Sequence, residues 1–87
     1  MASGTMQTKN IKTITLSGTT NQYGSFAFTQ EAEDVADRIT GIVFNSATHI
    51  CIQIFTSSNK HYLGCYDMRN GGSAYANQPI NVKIAYL

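Results

Sequence analysis

Apolar residues recur at every second position along much of this chain, which is the period of strands that bury one face. From Lys12 to Leu16, Ile14 and Leu16 share a face and Thr13 and Thr15 take the other. After the turn-forming run Ser17-Gly18-Thr19-Thr20-Asn21-Gln22, alternation resumes from Tyr23 to Thr29, with Phe26 and Phe28 inward. These two segments predict a first hairpin. Ser57-Ser58-Asn59 connects His49–Thr56 to Lys60–Met68 as a second, three-residue hairpin, with Asn59 in a left-handed conformation. Pro79 opens a last strand with Ile80, Val82, Ile84 and Tyr86 on one face, a position where proline breaks no ladder bond.

Two stretches depart from simple alternation. Residues 31–38 hold four of the five acids, and Ala32, Val35, Ala36 and Ile39 fall at helical spacing. This predicts either a structured loop or a short helical turn near 31–38 with Thr29 as its N-cap. The spacing of the carboxylates matches no calcium loop, so they read as a solvated acidic turn. In Ile39–Asn45, Ile39 and Val43 point one way and Ile42 and Phe44 the other; in the next strand Ile50, Ile52 and Ile54 oppose Cys51 and Phe55. A strand in a two-layer sandwich should keep one polar face. The second apolar face predicts another contact, either the acidic segment or another subunit, with Ile42, Phe44 and Phe55 as interface residues and a homo-oligomer as the expected state.

Strands following one another without long helices predict an all-β fold, a small antiparallel β-sandwich or jelly-roll-like barrel of about six to eight strands. The 87 residues make one domain, and a chain this short supports only a small core. Met-Ala-Ser-Gly-Thr-Met reads as a vector-derived leader, so residues 1–10 are expected to be leader and junction ahead of a single domain over 11–87. Six basic residues against five acidic ones are scattered, and such a surface has no clustered cationic face for nucleic acid. No apolar run reaches the length of a membrane span.

Chemistry-bearing residues are few. With a three-residue loop, Cys51 would face Cys65 and His49 would face Asp67. That pairing admits a disulfide, a zinc site completed by His61, or two small buried hydrophobes beside an ordinary His–Asp pair; no familiar zinc spacing occurs, and the last reading is preferred. No nucleophile elbow and no phosphate-cradling glycine loop is present, so neither an enzyme nor a cofactor is expected. Five tyrosines accompany no tryptophan. Most are expected to cover the core with the hydroxyl at the rim, but Tyr75 lies in a long, flexible, Gly- and Asn-rich connection from Arg69 to Gln78. Tyr75, Asn70, Asn77, Arg69 and Asp67 are therefore the candidate ligand-binding residues.

The opening Thr13-Ile14-Thr15-Leu16-Ser17-Gly18-Thr19-Thr20-Asn21-Gln22-Tyr23-Gly24-Ser25-Phe26 and the finish Pro79-Ile80-Asn81-Val82-Lys83-Ile84-Ala85-Tyr86-Leu87 resemble the small C-terminal β-domains of tail-fibre or baseplate receptor-binding proteins from bacteriophages and prophages. The resemblance implies a β-sandwich head, commonly a trimer, in the virion after synthesis in the host cytoplasm, contacting a host-surface saccharide or protein. It assigns no ligand residues. The function expected is a virion adhesion module; the alternative is a structural trimerisation or capping domain of a fibre, baseplate or capsid, without a ligand.

Overall fold

The computed structural model describes residues 11–87, so the expected leader and junction over residues 1–10 lie outside the described residues. The described residues form seven strands and one short helix: β1 (Lys12–Thr19), β2 (Ser25–Ala27), α1 (Gln30–Asp34), β3 (Ile39–Asn45), β4 (Ile50–Ser57), β5 (Lys60–Asp67), β6 (Ser73–Ala74) and β7 (Pro79–Tyr86). Single 3-10 turns follow α1 and β5, at Ala36–Arg38 and Met68–Asn70. The strands make two antiparallel sheets, β1-β7-β3 and a second in which β5 pairs with β4 on one edge and with β2 and then β6 on the other. The all-β architecture is as the alternation predicts.

The predicted inward residues form the core. Ile14 lies opposite Ile84 and Leu16 opposite Val82 in an unbroken eight-pair ladder between β1 and β7. Ile14, Leu16, Ile80, Val82 and Ile84 bury against Leu63, Cys65 and Ile50 of the second sheet and Phe28, Ala32 and Val35 of the α1 region in one cluster. Burial of side chains this size stabilises by about 1.5–3 kcal/mol each. Thr29 caps α1, its hydroxyl accepting from the Ala32 N–H at 3.3 Å, and Ala32 and Val35 turn inward as their spacing predicts.

Three pairings differ from the expectation. β1 and β2 do not form a hairpin; they belong to different sheets, β1 against β7 and β2 against β5. The β4–β5 turn has two residues, Ser58 and Asn59, both with positive φ (52° and 65°). That is the type I′ geometry whose twist suits a hairpin. The register is consequently one residue off the predicted one: Cys65 faces Ile52, Cys51 faces Tyr66, and Asp67 faces Ile50. Finally, β3 does not alternate. Register shifts between Ile39 and Gly41 and between Ile42 and Phe44 insert Thr40 and Val43 as extra residues. Two bulges three residues apart turn a period of two into a period of three. Ile39 and Ile42 therefore both pack on the core, while Val43 and Phe44 are both exposed.

Candidate functional site

The connection from Arg69 to Gln78 is tied down rather than flexible. Asp67 Oδ1 accepts from the Arg69 N–H and the Asp67 carbonyl accepts from the Gly72 N–H, closing the 3-10 turn that ends on left-handed Gly71. β6 then runs beside β5, and the Tyr75 N–H donates to the Cys65 carbonyl at 3.0 Å. The anchor is the turn after β1. Thr20 is the one buried polar residue among those described; its hydroxyl donates to the Tyr75 carbonyl at 2.6 Å and accepts from the Gln78 N–H at 3.1 Å. Its own N–H donates to the Gln78 carbonyl. Asn21 adds a second tie: its side-chain oxygen accepts from the N–H groups of Tyr23 and Ser25, and its carbonyl accepts from the N–H of left-handed Asn77.

Gly24 completes this clamp. It has φ +77°, and a β-carbon there would stand 2.8 Å from the Cys65 carbonyl and 2.9 Å from the Tyr75 nitrogen, too close for any side chain. The Ser-Gly-Thr-Thr-Asn-Gln-Tyr-Gly run thus has a mechanical meaning. It fastens residues 75–78 to the end of both sheets through bonds worth about 1 kcal/mol each.

Beside the clamped loop lies a concavity of about 370 Å³, lined by Asp67, Asn70, Ser73, Ala74, Tyr75, Ala76 and Gln78. Three of the five predicted ligand residues, Asp67, Asn70 and Tyr75, are in this wall. Arg69 and Asn77 lie outside it. Tyr75 is better explained by packing than its sequence context suggests. The residue is half-buried against the core, and its hydroxyl donates to the Pro79 carbonyl at 3.1 Å. Ser73 and Gln78, which nothing in their sequence context singles out, supply a hydroxyl and an amide. Asp67 is the one ionisable group besides the tyrosine in this wall. A wall of amides, a hydroxyl and a carboxylate can exchange hydrogen bonds with a neutral, hydroxyl-rich ligand.

The predicted interface residues separate. Ile42 turns to the core, whereas Phe44 and Phe55 are 46% and 39% exposed. Phe55 stacks on Tyr62 across the β4–β5 hairpin, ring centroids 5.2 Å apart and planes within 18°. Gly64 lies beneath: a β-carbon there would meet the Phe55 ring at 3.3 Å and the Tyr66 hydroxyl at 3.2 Å, so glycine lets both rings lie across the sheet.

The cysteines and histidines do not converge. Cys65 is fully buried on the inner face and Cys51 is exposed on the outer face of the adjacent strand, and both are free thiols. No group of three or more His, Cys, Asp or Glu side chains among the described residues could hold a metal ion. His61 pairs instead with the acidic segment: Glu33 accepts from the His61 backbone N–H at 2.8 Å through one oxygen and meets His61 Nδ1 at 2.8 Å through the other. The ring also stacks on Phe28 at 5.5 Å. This strap ties α1 to β5 and holds the Glu33 carboxyl below its usual range, first through the backbone hydrogen bond and then through the imidazole. Neither composition nor spacing signals this contact between residues far apart in the chain.

Compared with known proteins, the chain matches no protein-family model, no curated protein and no solved structure.

Proposed function

We propose that this domain is a non-catalytic adhesion module that holds a neutral saccharide of a host surface in the concavity between the β5–β6 turn and residues 75–78. The observation that carries this reading is the wall itself. Asp67, Asn70, Ser73 and Gln78 line it with hydrogen-bonding groups, and the Thr20–Asn21 clamp fixes the loop they depend on. Preorganised polar groups give orientation and specificity to small-ligand sites. The setting at the tip of a phage tail fibre or baseplate comes from the resemblance of the opening and closing segments alone. A structural capping role is the second reading, favoured by the exposed Phe44 and Phe55.

A glycan array followed by NMR titration tests the choice. Shifts confined to residues 67–78, with affinity reduced about tenfold or more in Asn70→Ala and Asp67→Asn, are expected for the adhesion module. An array blank across host-derived saccharides would replace it with the capping role.

A further inference from the structure

The sheets have four edges, and three of them are guarded. β3 is bulged twice, and the edge of β5 beyond β4 is covered by two short strands of three and two residues. β1 is long and regular, but it opens on Lys12, the kind of charged side chain that blunts an edge. Edges of these kinds resist pairing with another chain. β4 has no such guard. Ile50-Cys51-Ile52-Gln53-Ile54-Phe55-Thr56-Ser57 contains no charge, no proline and no bulge over eight consecutive pairs with β5.

The hairpin turn determines which groups of β4 face outward. A two-residue turn makes Ser57 and Lys60 a hydrogen-bonded pair, so Cys51, Gln53 and Phe55 also bond to β5. Ile50, Ile52, Ile54 and Thr56 then direct N–H and C=O to the open edge. Ile50 is served there: its N–H donates to the Ala47 carbonyl and its carbonyl accepts from Asn45 Nδ2. The backbone groups of Ile52, Ile54 and Thr56 have no partner among the described residues. The side chains tell the same story. Ile52 and Ile54 face the core yet stay half-buried, while Leu63 and Cys65 on neighbouring β5 are fully buried.

We propose that β4 pairs antiparallel with β4 of a second copy across a two-fold axis at Ile54. Three residues per chain with outward N–H and C=O groups form about six main-chain hydrogen bonds in this register. Ile54 then faces its own counterpart, and Ile52 faces Thr56 of the partner subunit. On the outer face Gln53 lies beside Phe55 of the partner subunit. In an isologous antiparallel pair a charge near the axis meets its own copy, and β4 carries none. The contact is isologous, so it consumes the open edge in both copies and closes at two. The trimer implied by the resemblance would instead need a head-to-tail contact between two different surface patches.

Sedimentation equilibrium of the full chain from about 1 µM to about 1 mM, with amide hydrogen exchange, tests this. The dimer is expected, with protection at Ile52, Ile54 and Thr56 rising at least about tenfold with concentration. Thr56→Pro deletes an N–H that a lone chain leaves to solvent, and Gln53→Lys places two ammonium groups near the axis. Each should weaken dimerisation about 100-fold while circular dichroism stays unchanged. A monomer at every concentration, a trimer, or a dimer that neither substitution weakens in a folded chain would overturn the proposal.

Discussion

Cys51 and Cys65 sit on adjacent strands, yet opposite faces of one sheet give them different chemistry. Burial pushes the Cys65 thiol up to about 11, while Cys51 stands exposed. Since the thiolate is the reactive form, a thiol reagent at neutral pH should label one equivalent in the native protein and two in urea. Two native equivalents, or none, would contradict the register. The alternation separates Cys51 from Ile50, Ile52 and Ile54, but the expected pairing with Cys65 on one buried face is wrong: Cys51 is exposed on the other. The pairing depended on whether the β4–β5 turn held two residues or three, and one residue of slip changes every cross-strand neighbour. Tyr75 teaches the converse: its polar, glycine-rich surroundings concealed a half-buried ring, because the groups that fasten it come from Thr20 and Gly24, about fifty positions away.

The elements were read well where one physical rule governed and poorly where two competed. β1, β7 and the Thr29-capped α1 follow alternation or capping, and their inward residues are as predicted. β3 carries two bulges, so its apolar spacing of three looked like a second apolar face. The Glu33–His61 strap has a consequence at this scale. A carboxyl whose folded pKa lies below its ordinary value near 4.5 contributes stability that is present above that value. The contribution is lost as pH falls through the lower, folded value. Urea midpoints of wild type and Glu33→Gln should therefore keep their full difference at pH values above 4.5 and draw together as pH falls below it. A difference that stays constant across this window would remove the ionised carboxylate from the account.

In the whole molecule, alternation determines which face of a strand is buried but is silent about its neighbour, and here the first strand's neighbour is the last. Pairings between residues so distant in sequence slow folding, because a long loop must close before the two strands can meet. A circular permutant that joins residues 87 and 11 by a short linker and opens between Ser58 and Asn59 turns the β1–β7 pair into a local hairpin. It should keep the native amide spectrum and fold several-fold faster in stopped-flow refolding. Slower folding, or a lost spectrum, would show that the β4–β5 hairpin leads instead. The same ladder has an orienting consequence. Lys12 lies opposite Tyr86 at one pole, and Thr19 lies opposite Pro79 at the other, about 25 Å away at the rise of a strand. The clamp and its concavity belong to the second pole. A segment joined at Lys12 or Tyr86 therefore enters at the first pole, with the clamped loop at the opposite one.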